Sequence, residues 1–151
     1  MLRVLKPPMP IDLAPDERAV FLAGSIEQGT AEDWQSVVSQ ALADRPLTLL
    51  NPRRDEWDAS WVQSIGNAMF RGQVEWELEG MERAWRVAMY FAPGSRSPIT
   101  LLEFGLLARS GKLTVCCPEG FWRRGNIEVV CARYGVPLCD NLPEWIHSID
   151  G

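Results

Sequence analysis

The 151-residue chain carries 15 Lys and Arg against 20 Asp and Glu, a net charge of −5, which excludes the basic face that a polymeric nucleic-acid partner needs. An apolar fraction of 46% and a charged fraction of 23% suit one globular domain over residues 1–151 with a full core. Nothing approaches the run of about 18 apolar residues that spans a membrane, and Met1 to Pro8 lacks the apolar core of a secretion signal,.

Residues 1–17 form a Pro-rich arm marked by Pro7, Pro8, Pro10 and Pro15. Ala19-Val20-Phe21-Leu22-Ala23 is a continuous apolar run stopped by Gly24, the pattern of a strand buried on both faces,. Thr30, with Asp33 three residues on, caps a helix whose inner stripe is Trp34, Val37, Val38, Ala41 and Leu42,. A second strand, residues 47–50, ends at Asn51-Pro52, and residues 53–66 read as loop,.

A helix is predicted over residues 68–84, with Phe70, Val74, Leu78 and Met81 on one face. Residues 86–92 and 112–117 are further strands, 126–134 a helix stopped by Gly135, and 142–149 the last helix. Residues 136–139 make a short edge strand, because Pro137 cannot donate to a ladder,. Alternating strands and helices predict an α/β fold, a flavodoxin-like three-layer sandwich on a five-stranded parallel sheet of order 2-1-3-4-5. In such sheets ligands sit beyond the carboxyl ends of the strands. That edge holds Gly24-Ser25, Asn51 to Arg54, Ala92 to Ser97 and Pro118 to Gly125.

Cys116, Cys117, Cys131 and Cys139 form no CxxC pair, which predicts reduced thiols, a cytoplasmic location and no metal site,. There is no P-loop or GxGxxG, so no cofactor is expected,. A single histidine, His147, leaves catalysis to carboxylates,.

Glu103 is the carboxylate that stands out. Ser97-Pro98 reads as the N-cap and first position of a helix that is apolar almost all round, with Glu103 in its second turn,. Burial would raise its pKa while the helix N-terminus favours its charge, opposing pulls that mark nucleophiles and acid–base groups. The plainer reading makes Thr100 and Glu103 the solvated stripe of that helix. Trp57, Trp61, Trp76 and Trp122 fit base stacking or packing equally. Arg53, Arg54, Arg123 and Arg124 fit phosphate binding or solvated loops.

Phe21-Leu22-Ala23-Gly24-Ser25-Ile26 resembles the YLAGP-type opening of the nucleoside 2-deoxyribosyltransferases, and Ser97 to Gly105 their SGTxxE(I/L)G helix, with Thr100, Glu103 and Gly105 matching. The nucleoside 2-deoxyribosyltransferase-like branch is resembled more closely. Asn51 to Arg54 with Trp57, Gln73 to Glu77, Ser97 to Glu103 and Gly120 to Asn126 carry that resemblance.

The resemblance implies a Glu103 nucleophile that forms a covalent deoxyribosyl-enzyme on a nucleoside or nucleotide. It also implies an Asn126 contributed by a neighbouring subunit, hence a homo-oligomer with shared sites. Gly24, Ser25, Asn51, Arg53, Trp57, Ser97, Thr100 and Trp122 are the expected substrate-binding residues. The parent enzymes have an aspartate where this chain has Ser97, and another acid near Trp85-Arg86. Glu77 or Asp55 is then the substitute proton donor, unless Glu77 is a plain surface charge. A non-catalytic nucleotide-binding module and an NAD-type glycohydrolase are the competing readings.

Overall fold

Apolar runs too short for helices become the strands of one parallel sheet in the computed structural model, which describes residues 1–25, 33–53 and 60–149. The strands are β1 (Arg3–Leu5), β2 (Ala19–Gly24), β3 (Thr48–Leu50), β4 (Arg86–Tyr90), β5 (Leu113–Cys116) and β6 (Leu138–Cys139). The helices are α1 (Trp34–Ala41), α2 (Ala68–Arg83), α3 (Pro98–Leu107), α4 (Arg124–Tyr134) and α5 (Leu142–Ile149). The strand order is β1-β3-β2-β4-β5-β6, every pairing parallel. Five of these strands reproduce the expected order, with β6 at one edge.

The sixth is a correction. The Pro-rich arm contains β1, which adds to the far edge with Arg3 opposite Thr48 and Leu5 opposite Leu50. Side chains tie the arm down further. Glu17 accepts hydrogen bonds from the Thr48 hydroxyl and from Arg3, and the Thr48 bond, foremost, holds its carboxyl below the usual range,.

Alternation along the strands feeds two cores. Val20 and Leu22 of β2 face Trp34, Val38, Trp145 and Ile149 of α1 and α5. Phe21 and Ala23 face the opposite layer, with Trp76 and Met81 of α2, Phe104 of α3 and Ile127 of α4. Full burial of side chains such as Val38 and Leu42 contributes about 1.5–3 kcal/mol each. Asp33, not Thr30, caps α1, its side chain accepting from the Ser36 N–H; Thr30 lies outside the described residues. Gln35 takes the inward position expected of Val37, which is exposed.

On α2 the buried face is Gln73, Trp76, Gly80 and Met81, whereas Val74 and Leu78 are a little over one third exposed. Gly80 is required where the helix crosses β2, since a Cβ there would stand 2.7 Å from the Phe21 ring. Gly135, at φ 68°, ends α4 in the left-handed conformation that glycine tolerates best,. Among the described residues no helix is long and apolar enough to cross a membrane.

Candidate active site

A cavity of about 510 Å3 opens at the carboxyl edge of the sheet between α2 and α3. Phe21 and Ala23 of β2 contribute its floor, Phe70, Gln73 and Glu77 one wall, and Thr100 and Glu103 the other. Gly24, Ser25, Arg53 and Ser97 complete the rim end. The chain thus brings Gly24, Ser25, Arg53, Glu77, Ser97, Thr100 and Glu103 together.

Glu103 is 7% exposed and Thr100 is 4% exposed, so they are not a solvated stripe. The solvated side of α3 is the apolar one, with Ile99, Leu102 and Leu106 each about 60% exposed. The inward turn of Glu103 places a carboxyl against the cavity. Among the described residues none donates a hydrogen bond to it or pairs with it as a cation. Burial, reinforced by the charge of Glu77, pushes its pKa up to about 8,.

Burial likewise pushes Glu77 up to about 7, opposed by a hydrogen bond that Gln73 Nε2 donates at 3.1 Å. Glu77 is therefore not a plain surface charge. Arg53 is the one cationic group on the described cavity wall. Its guanidinium also reaches Asp33 at 3.5 Å and donates to Gln35 Oε1 at 3.3 Å.

Ser97 and Pro98 hold the N-cap and first position of α3 as expected, but the Ser97 side chain makes no capping hydrogen bond. Its backbone is left-handed (φ 46°, ψ 55°), whereas side-chain capping goes with an extended one,. Its hydroxyl instead lies 2.5 Å from that of Ser25 and 2.8 Å from that of Ser95. The Ala92 N–H donates to Ser25 Oγ at 3.0 Å, and Ser95 Oγ donates to the Ala92 carbonyl at 2.7 Å. Three hydroxyls thus close a ring that begins and ends on Ala92, just past β4. The ring supports a non-glycine residue in a costly conformation and aims the start of α3 at the cavity. Gly24 is needed beneath it, because a Cβ there would stand 2.5 Å from the Tyr90 carbonyl oxygen and 2.7 Å from the Trp34 ring.

Other sequence candidates fall elsewhere. Asn51 is buried behind the cavity, its Oδ1 accepting from the Arg53 N–H at 3.0 Å. Trp122 lies in a separate shallow concavity with Arg96 and Gly120, its indole N–H donated to the Arg96 carbonyl and Arg123 stacked 4.4 Å from its ring. Asn126 is exposed on the first turn of α4 and does not line the cavity of its own chain. Arg124 is engaged by Asp140 and Glu128. Trp57, Arg54 and Asp55 lie outside the described residues.

Trp85 and Arg86 are structural. Arg86 donates to the carbonyls of Ser148 and Ile149 at the end of α5, and Trp85 is stacked between Arg18 and Arg86. Sequence reasoning missed Gln73 and Ser95 as members of the site; the i, i+4 spacing of Gln73 and Glu77 was the available signal for the first. The four cysteines are free, and among the described residues no cluster of His, Cys, Asp or Glu is arranged to hold a metal.

A buried Glu103 and a part-buried Glu77, neither paired with a cation among the described residues, suit a ligand that develops positive charge and accepts a proton. A family model described as nucleoside 2-deoxyribosyltransferase like matches residues 17–121. No curated protein matches the chain significantly.

Proposed function

Because the chain belongs to the nucleoside 2-deoxyribosyltransferase-like family, we propose that it cleaves or transfers the N-glycosidic bond of a nucleoside or nucleotide through a covalent intermediate on Glu103. The family suggests nucleoside glycosyl transfer. The observation that carries the finer reading is the buried Glu103 carboxyl facing the cavity, unpartnered among the described residues.

In this mechanism a carboxylate oxygen of Glu103 attacks the anomeric carbon. The C–N bond breaks with its electron pair on the base, and Glu77 supplies the proton that neutralises the base. An incoming base or water then attacks the same carbon, passes its proton to Glu77, and Glu103 departs as carboxylate. Both carboxyls are pushed up, Glu103 by burial and the charge of Glu77, Glu77 by burial, so the pair titrates as a unit and the arrangement with Glu103 ionised and Glu77 protonated is one of its two singly protonated forms. Positive charge growing at the anomeric carbon favours that arrangement.

Gly24, Ser25, Arg53, Ser97 and Thr100 would contact the sugar side of the substrate, where Arg53 suits a phosphate. The ring of hydroxyls occupies the place of the family aspartate, which leaves the proton work to Glu77. An ion-paired Glu103 sealed from the edge would favour a non-catalytic binding module; among the described residues Glu103 has no ion pair and it lines the cavity, which argues against that. Free cysteines support a reducing, cytoplasmic setting.

Exposed Asn126 and the apolar side of α3 support an oligomer in which a neighbour completes the cavity, bringing its Asn126 to the substrate. Mixing inactive Glu103→Gln with inactive Asn126→Ala would then restore part of the activity, because mixed oligomers contain sites with both native residues. No recovery after confirmed subunit exchange would sink the shared site. The chemistry itself is tested by mass spectrometry of the intact protein after exposure to a panel of nucleosides and nucleotides. A sugar adduct on Glu103 is expected; base release with the adduct on another residue would overturn the assignment.

A further inference from the structure

The two acids are held differently, and the difference lies in Gln73. This residue is 6% exposed on the inner face of α2. Its Nε2 donates both to the Pro52 carbonyl, at 3.0 Å, and to Glu77 Oε2, at 3.1 Å. The first bond fastens the side chain to the loop after β3. The second holds the Glu77 carboxylate one helical turn along α2. Glu103, on the opposite wall, receives no such bond from the described residues.

We propose that Gln73 is the positioning residue of this site, holding Glu77 as the hydrogen-bonded carboxylate so that the proton shared by the two acids rests on Glu103 until a ligand draws it away. The inference rests on the reading of Glu103 and Glu77 as the reacting pair. Its physical basis is an asymmetry: a donated N–H stabilises a carboxylate more than a carboxylic acid, and only one of two like charges in an apolar cavity remains readily ionised. Arg53 is the only other titratable group on the described cavity wall, and it is already shared with Asp33 and Gln35.

The consequence is a latent nucleophile. In the empty cavity Glu103 is a neutral acid, which suits its apolar surroundings. When a nucleobase nitrogen approaches, the proton passes from Glu103 to Glu77 and on to the base. The carboxylate appears as the C–N bond breaks. No proton is gained or lost in the first half-reaction.

The test is carbon-13 NMR of the full chain labelled at glutamate side-chain carboxyls, titrated downward from alkaline pH, with the two signals assigned through Glu77→Gln and Glu103→Gln. In the wild type the Glu103 signal should move first. In Gln73→Met the order should invert, because Glu77 loses its donor and, once neutral, no longer raises Glu103. A merely structural loosening would admit water and lower both steps together.

Glu77 moving first in the wild type, or an unchanged order in Gln73→Met, would overturn the proposal. If Gln73→Met does not fold, Glu77→Gln decides: the Glu103 step should fall to lower pH, and an unmoved step would show that the acids do not share a proton. These readouts need no turnover. Failure of base release with the expected order would count against the proposed reaction and leave the positioning role standing.

Discussion

Replacing Glu103 by Gln is expected to lower base release by roughly 10³-fold or more and, at the same time, to stabilise the fold. Both effects have one cause. The carboxyl is buried, has no donor or cation among the described residues and is pushed up to about 8, so its charged form is disfavoured in the native state relative to the unfolded chain. For an acid whose folded pKa is raised, the stabilising contribution is complete below the unfolded value and is lost as pH rises through the folded one.

Wild-type stability should therefore decline between about pH 4.5 and pH 8. The variant should decline less and should exceed the wild type at alkaline pH by of order 2–4 kcal/mol. For a domain of this size that is a rise in Tm of roughly 5–15 °C. Thermal melts across pH, run beside chromatographic detection of free base, check both halves. Full activity in the variant on a substrate the wild type cleaves would refute the nucleophile; reduced alkaline stability would refute the account of its burial.

Gly24→Ala is expected to be the most damaging small substitution near the site. The new carbon would meet the Tyr90 carbonyl oxygen at 2.5 Å and the Trp34 ring at 2.7 Å, and neither neighbour is free to move. The Tyr90 oxygen accepts the Ser25 N–H at 3.2 Å, and the fully buried Trp34 donates its indole N–H to the Ser25 carbonyl at 3.0 Å. Overpacking against fixed groups costs about 3 kcal/mol, or roughly 6–12 °C in Tm.

Activity should fall further than stability, because Ser25 would be displaced from the hydroxyls of Ser95 and Ser97 and α3 would lose its aim. Gly105→Ala supplies the contrast. Its added carbon meets nothing within 4 Å in the interior of α3, where Ala is favoured over Gly by about 0.5–1 kcal/mol. Comparable melts for the two variants would contradict the packing argument at Gly24.

The layers of the fold were legible because they depend on local pattern. Ala19 to Ala23 and Arg86 to Tyr90 are apolar runs too short for helices, and the segments between them carry caps or helical spacing. Strand β1 was not legible, since three residues among prolines carry no period and gain strand character only from Thr48 to Leu50 alongside. The start of α3 at Ser97-Pro98 was legible, but the left-handed backbone of Ser97 and the absence of a side-chain cap were not, for a similar reason: its hydroxyl partner Ser25 is far away in the chain.

Helix α3 was read as buried because it is apolar all round; Ile99, Leu102 and Leu106 in fact face outward, while polar Thr100 and Glu103 face in. At the site, Glu103 was visible from its misfit with its neighbours. Gln73 was not, because its role depends on the Pro52 carbonyl, which only the fold brings within reach.

The closed ring on Ala92 also makes the ligand edge observable without a ligand. The Ala92 amide hydrogen is spent on the Ser25 hydroxyl, so it can exchange with solvent only when Ser25 swings away and the start of α3 is released. Its exchange rate is a direct gauge of how often the edge opens in the resting protein. Exchange much slower than that of the exposed neighbouring turn at Gly94 would mark this edge as standing ready-built before any substrate arrives.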